Sequence, residues 1–199
     1  MFLKTSKSLE EDLLERCMVS GDFLLRSGVV SSEKFDFERI TQSTYWRDKW
    51  LLRRTEKALG DLIMDKLSKT DVVLTVANGA NPLAAGVARH VSCGQSDRTE
   101  KVLGYETRKL EDGNFRVNQG NVYVYGLNVT VVDDVYTQGT NIGLVADTVE
   151  RFGGKVIGAA VILNRNEHGI SVVTRGENAS DIPVYSMIQH PIATYSVED

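Results

Sequence analysis

The segment Val129-Thr130-Val131-Val132-Asp133-Asp134-Val135-Tyr136-Thr137-Gln138-Gly139-Thr140-Asn141 restricts the fold more than any other part of the chain. Its first four residues form an apolar, β-branched run, the pattern of a strand covered on both faces in a parallel sheet. Asp133 and Asp134 stand at the carboxyl end of that strand. Adjacent carboxylates repel each other and need solvent or a ligand; vicinal ribose hydroxyls suit them because each can donate to a carboxylate oxygen. Thr137 to Asn141 then offers two hydroxyls, a glycine that admits close backbone approach, and the free amides of a helix N-terminus. That set fits a phosphate monoester. The helix is expected from Ile142, Val145, Val149 and Phe152 at three- and four-residue spacing, with Gly153-Gly154 ending it. An ordinary βα turn with capping residues uses the same residue types, so the neighbouring segments must decide.

Those neighbours alternate. Ser8 to Met18 carries Leu9, Leu13, Leu14, Cys17 and Met18 among acidic residues, which predicts a short amphipathic helix. Phe23 to Asp36 reads as two extended pieces around a Ser/Gly turn. Thr44 to Leu67 is a long helical pattern with Leu51, Ala58, Leu59, Leu62 and Ile63 as its buried stripe. There follow a strand at Val72 to Val76, a small-residue helix at Pro82 to His90, a strand at Val102 to Thr107, an extended piece at Val122 to Tyr125, and a strand at Val156 to Leu163. Strands separated by helices imply right-handed crossovers and a mostly parallel α/β sheet, with ligands beyond the carboxyl ends of its strands. Lys109 to Gly120 is polar and aperiodic and reads as an exposed loop, long enough to serve as a functional lid. No repeat or linker divides the chain, so one α/β domain over residues 1–199 is expected.

Composition excludes several functions. A formal net charge of −4 gives no nucleic-acid footprint, so phosphate binding must be local. No apolar run is long enough to span a bilayer, and Met1 to Lys7 lacks the apolar core of a secretion signal. Cys17 and Cys93 are too few and too far apart for a disulfide framework or a metal cluster, and a reducing cytoplasm is the simplest setting. His90, His168 and His190 show no ligand spacing. A dinucleotide-binding fingerprint is disfavoured, because Ala77-Asn78-Gly79-Ala80 after the first core strand has a single glycine.

Four collinear pieces resemble the type I phosphoribosyltransferases, and among them the orotate phosphoribosyltransferases. Val131 to Asn141 is similar to the family's phosphoribosyl diphosphate motif. Phe23-Leu24-Leu25-Arg26-Ser27-Gly28, followed by Phe35-Asp36, is similar to the orotate-enzyme signature near the N-terminus. Val76 to Ala84 resembles the diphosphate-binding turn before a helix that begins at Pro82-Leu83-Ala84. Leu163-Asn164-Arg165-Asn166-Glu167-His168-Gly169 resembles the element after the last core strand. One such motif is weak evidence; four in order over about residues 8 to 190 are strong.

The resemblance implies a type I phosphoribosyltransferase-like parallel sheet flanked by helices. It places a small N-terminal hood at residues 1–42, the core sheet at 70–170 and a mobile loop at 108–120. It implies transfer of 5-phosphoribosyl from phosphoribosyl diphosphate to a pyrimidine, orotate above all, by a homodimer whose loop acts across subunits. On this reading Asp133 and Asp134 hold the ribose hydroxyls and Thr137, Gln138, Gly139, Thr140 and Asn141 the 5-phosphate. Asn78, Gly79, Arg108 and Lys109 take the diphosphate, and Arg26, Phe35 and Arg165 face the base. Magnesium is expected as an ion chelated by substrate, since no side-chain cluster looks like a dedicated metal cage.

The departures bear on activity. The family's loop carries Arg-Lys-x-x-Lys-x-His, and this chain matches at Arg108 and Lys109 but has Asp112 for the lysine and Asn114 for the histidine. Arg116 is the only nearby replacement for the missing cations. Arg26 replaces the signature lysine, Lys34 the first aromatic, and Gly79 stands where lysine is frequent. Losing cations that act in the transition state lowers rate rather than fold. The alternatives are a phosphoribosyl-diphosphate-binding regulatory or weakly active protein, and a transferase for another nucleobase.

Overall fold

The computed structural model describes residues 7–24, 29–77, 79–94, 102–111, 115–117, 124–169, 171–175 and 180–196. Helix α1 (Leu9–Cys17) starts where the Glu11 amide donates to Ser8 Oγ at 3.1 Å and the Ser8 amide to the Glu11 carboxylate at 2.8 Å, a reciprocal cap. Leu13 and Cys17, one turn apart, enter the core, and burial pushes the Cys17 thiol up to about 12. Strands β1 (Met18–Leu24) and β2 (Val29–Phe35) pair antiparallel. The short β10 (Thr194–Ser196), from the far end of the chain, joins the free edge of β2 to complete the hood sheet. After α2 (Glu38–Thr41), helix α3 (Trp46–Lys66) buries Leu51, Thr55, Leu59 and Ile63 at four-residue spacing. Thr55 is tolerated because its hydroxyl donates to the Leu51 carbonyl at 2.9 Å. Ala58 and Leu62, expected in the stripe, lie half-buried at its margin.

The core sheet has the order β5-β4-β3-β6-β7-β9-β8. Its parallel centre comprises β3 (Val72–Thr75), β4 (Leu103–Lys109), β6 (Asn128–Tyr136), β7 (Lys155–Asn164) and β9 (Ile182–Gln189). Strands β5 (Phe115–Val117) and β8 (Val172–Val173) lie antiparallel at the edges. Helix α4 (Leu83–Gly94) links β3 to β4 and α5 (Thr140–Arg151) links β6 to β7. Val131 joins the apolar cluster on the α5 side and Val132 the one shared with α1, α3 and α4, so β6 is covered on both faces, as its composition requires. From β3 the chain proceeds outward to β4 and then returns to β6 on the other side of β3. The crevice at the carboxyl ends of β3 and β6 is therefore the switch point at which open α/β sheets bind ligands.

Three sequence expectations change. Lys109 to Gly120 is no simple loop, because Phe115–Val117 pairs with Thr107–Lys109 in a β-hairpin. A three-residue strand is too short to show a period, and burial of Phe115 holds it in place. Of the extended piece at Val122 to Tyr125, the described part is Val124, outside any strand, and Tyr125, which begins a turn with Gly126 at φ +73°. Beyond Leu163, where periodicity gives no further strand, the chain forms β8, β9 and β10, with partners distant in sequence. Among the described residues no helix is long and apolar enough to cross a membrane.

Candidate active site

Strand β6 delivers Asp133 and Asp134 to the crevice. The Asp134 amide donates to Asp133 Oδ1 and the Val135 amide to Asp134 Oδ1, each at 2.9 Å, so both carboxylates are oriented by the backbone that follows them. Asp133 is 8% exposed. Burial, and next the Asp134 charge, push the Asp133 carboxyl well above the usual carboxylate range, and burial raises Asp134 as well. Across the crevice lies the turn after β3. A Cβ built on Gly79 would stand 2.6 Å from Asp134 Oδ2, so the bare backbone of Gly79 is what lets that carboxylate reach the turn. The turn is pinned to β4: the Ala77 amide donates to Thr107 Oγ1 at 2.9 Å, and Asn81 Nδ2 to the Thr107 carbonyl at 3.1 Å.

The loop after β6 ends at Gly139, the N-cap of α5, with φ +77° and ψ 12°. This left-handed conformation favours glycine, and a Cβ there would also meet the Val173 side chain and, at 2.9 Å, the Tyr136 ring. Side chains hold the loop from three directions. Asn166 Nδ2 donates to the Thr137 carbonyl at 2.9 Å, Tyr136 Oη to the Val172 carbonyl at 2.9 Å, and Lys109 Nζ to Asn141 Oδ1 at 3.3 Å. No acidic residue occupies the first turn of α5, so its amides and positive dipole end face the crevice without a competing carboxylate.

The hood closes the other side. Lys34, Phe35, Asp36 and Glu38 share with Ala77, Gly79, Lys109 and Asp134 a polar cleft of about 250 Å³. Phe35 is almost fully buried and stacks on Phe37 at 6.5 Å between centroids, so it belongs to the core while lining the cleft. Arg165, just after β7, is 4% exposed and donates from Nη2 to Ser31 Oγ on β2 at 2.7 Å. No carboxylate lies within 4 Å of its guanidinium among the described residues. Its Nε is the only buried side-chain nitrogen or oxygen among them without a hydrogen-bond partner. Desolvation lowers the pKa of Arg165, opposed by the more distant Glu167 and Glu33. A buried guanidinium with a free donor can bind an anionic or carbonyl-bearing partner.

A family profile for the phosphoribosyl transferase domain matches residues 43–176, more than half of the chain. The chain belongs to the phosphoribosyltransferase family. Orotate phosphoribosyltransferase of Pyrobaculum calidifontis is 32% identical over 167 residues, covering 84% of this chain and 79% of the relative. The crystal structure of orotate phosphoribosyltransferase from Aeropyrum pernix superposes with a TM-score of 0.62 at 25% identity, over 92% of this chain and 94% of the other. An adenine phosphoribosyltransferase superposes equally well, with a TM-score of 0.62 at 15% identity over 91% of this chain and 100% of the other. The fold is thus common to enzymes named for different bases, and the fold alone does not choose the base.

In this phosphoribosyltransferase the residues singled out by sequence fall into three groups. Asp133, Asp134, Gly79, Lys109 and Thr137 through Asn141 converge on the switch-point crevice, with Phe35 and Arg165 on the hood side. Arg108 is exposed on the hairpin. Arg26 and Asn78 lie outside the described residues, as do Asp112 and Asn114. Two structural partners went unnoticed in the sequence. Ser31, fully buried, anchors Arg165 while donating to the Glu33 carbonyl at 2.7 Å, and nothing in Val29-Val30-Ser31-Ser32 distinguishes it from a strand serine. Asn166 was within reach: the Asn164-Arg165-Asn166 run supplies the Asx turn in which the Asn166 amide donates to Asn164 Oδ1 at 2.9 Å.

Proposed function

We propose that this phosphoribosyltransferase moves the 5-phosphoribosyl group of phosphoribosyl diphosphate onto a ring nitrogen of orotate, giving the nucleoside 5'-monophosphate and diphosphate. The observation that carries the choice of base is Arg165, a buried guanidinium with an unpartnered Nε, bonded to Ser31 of the hood strand β2 that runs on to Lys34 and Phe35 of the cleft. Among pyrimidines orotate bears a carboxylate, which a guanidinium binds through paired donors. The relatives named above for orotate support the same choice.

In this reading the amides and hydroxyls of Thr137 through Asn141 hold the 5-phosphate, and Asp133 and Asp134 accept from the ribose hydroxyls. Asn78, Gly79, Arg108 and Lys109 take the diphosphate, Arg165 and Arg26 the base, with Phe35 as its apolar wall. As the bond from C1' to the diphosphate oxygen breaks, positive charge grows on the ribose ring. The two carboxylates favour that charge, and the ring nitrogen bonds to the opposite face of C1', inverting it. The donor set fits a substrate-borne magnesium ion: Asp36, Glu38 and Asp134 line the cleft together with Lys34 and Lys109. Asp134 would face the waters of such an ion, which when bound neutralises the diphosphate.

A second reading, phosphoribosyl diphosphate binding without efficient turnover, is favoured by Asp112 and Asn114 at the loop positions of the family's cations. Diphosphate release with phosphoribosyl diphosphate, magnesium and a panel of orotate, uracil, adenine and hypoxanthine separates the two. Release dependent on orotate is expected. Binding of the donor with no release for any base would establish the second reading.

The Gly79 contact supplies a sharper test of the crevice. Gly79→Ala forces the Asp134 carboxylate away from a point 2.6 Å distant. Displacing a positioning group by about an ångström costs about 10²-fold in rate. A loss of that size in kcat/KM for phosphoribosyl diphosphate is expected, with little change in Tm. Wild-type kinetics in this variant would mean that Asp134 and the turn do not act together.

A further inference from the structure

We infer that Glu167 is a positioning residue for base recognition: it clamps the strand β10 beside Ser31, the anchor of Arg165, and so leaves the guanidinium's donors to the substrate. The inference rests on the reading of Arg165 as the base contact. Glu167 Oε1 accepts from the Thr194 amide at 2.6 Å and from Thr194 Oγ1 at 3.1 Å. Thr194 stands directly opposite Ser31 in the β2–β10 pair, and Phe23 of β1 stands opposite Ser31 on its other side. Residues directly opposite in an antiparallel pair share a face. Ser31 and Thr194 therefore present neighbouring hydroxyls to one loop. Arg165 takes the first at 2.7 Å, and Glu167, two positions on, takes the second.

The clamp matters because, among the described residues, Ser31 Oγ is the one polar partner of the guanidinium. Whatever fixes Ser31 therefore fixes Arg165. Strand β10 has three residues, too few for its own ladder to hold it firmly on β2. The chain leading into it is tied to the same loop: the His190 amide donates to the Asn164 carbonyl at 3.0 Å and the Ile192 amide to the Arg165 carbonyl at 3.3 Å. Glu167 adds the last tie, at the point where β10 meets Ser31. Between them Asn166 donates to the Thr137 carbonyl after β6. Three successive residues thus join the hood to the loop assigned to the 5-phosphate. The direction of the Glu167 carboxylate is as informative as its bonds. It is engaged by Thr194 and makes no ion pair with Arg165, and Glu33, the other acid acting on that cation, lies 3.8 Å from His190 Nε2. Both charges favour the buried cation against desolvation while neither takes its donors. An acid paired directly with Arg165 would compete with a substrate carboxylate for the same fork of donors.

The test uses the full chain with Glu167→Ala, Glu167→Gln, Arg165→Leu and the double variant Arg165→Leu, Glu167→Ala, each assayed with orotate and with uracil. For Glu167→Ala the kcat/KM for orotate should fall about 10²-fold, as for a positioning group displaced by about an ångström. The loss for uracil should be far smaller. Glu167→Gln, whose Oε1 still accepts from Thr194, should recover most of the orotate activity. In the Arg165→Leu background, Glu167→Ala should cost orotate no more than it costs uracil, because a residue that acts through Arg165 is not additive with its loss. The same preference is read without turnover by isothermal titration with the nucleoside 5'-monophosphates of orotate and of uracil. A preference within twofold of wild type in Glu167→Ala would overturn the inference. Equal losses for both bases together with a lowered Tm would overturn it too, by making Glu167 a general brace of the hood. So would a full additional loss of orotate activity in the double variant. An unchanged preference in Arg165→Leu alone would overturn the base reading itself, whereas a preference lost there and kept in Glu167→Ala would overturn the clamp alone.

Discussion

Arg165→Leu is expected to lower kcat/KM for orotate by about 10³-fold while leaving Tm unchanged or slightly raised. Removing one partner of a buried, hydrogen-bonded charge pair costs about 2–5 kcal/mol of binding, hence the size of the kinetic loss. Stability moves the other way because the guanidinium is buried, lowered in pKa by desolvation and, among the described residues, bonded only through Nη2 to Ser31. Replacing a poorly compensated buried charge by an apolar side chain is commonly neutral or stabilising. Ser31 retains its own bond to the Glu33 carbonyl, so the substitution orphans no hydroxyl. Uracil, which lacks the carboxylate, is the discriminating comparison: the variant should lose most of the preference for orotate over uracil. Arg165→Lys keeps the charge without the paired donors and should recover only part of it. An unchanged preference in Arg165→Leu would remove Arg165 from base recognition and return the choice of base to Arg26 and Phe35.

The double variant Asp133→Asn, Asp134→Asn should abolish detectable use of phosphoribosyl diphosphate, a loss of at least about 10³-fold, with the fold intact. Asn keeps an Oδ1 acceptor for the Asp134 and Val135 amides, so the local geometry is maintained. The pH dependence of stability supplies an independent readout. Both carboxyls titrate above the ordinary value in the folded chain, so the folded chain binds protons more tightly than the unfolded chain. Their contribution to stability is then fully present below about pH 4 and is lost as pH rises through the folded values. Asn does not titrate. Thermal melts should show the variant gaining Tm relative to wild type as pH rises toward neutrality, with each kcal/mol relieved worth about 2–4 °C in a chain of this size. A variant that binds donor normally, or whose Tm difference from wild type is independent of pH, would mean that the pair is neither a ribose site nor electrostatically strained.

The central strand, the acidic pair and the glycine turn after it were legible because their chemistry is local. Val129 to Val132 can only be a doubly covered strand, and Gly139 can hold φ +77° because it lacks a Cβ. The hairpin strand at Phe115–Val117 and the short β8 and β10 were not legible. A strand of two or three residues has no period, and each is held by a partner elsewhere in the chain. Arg165 shows the boundary within one residue. As a sequence position it is an arginine after a strand, equally at home on the surface. Its burial, its bond to Ser31, 134 positions away, and its unpartnered Nε exist only once the hood packs against the end of β7. Likewise, no spacing rule places Gly79 against Asp134 or Arg116 opposite Arg108.

The sequence by itself therefore determined the α/β class, the family and the adjacency of the acidic pair and the glycine turn at the end of β6, since these rest on backbone preferences and side chains adjacent along the chain. Tertiary structure alone decided which charged groups are buried and which side chains face one another, because desolvation and pairing depend on distances between elements that sequence order does not encode.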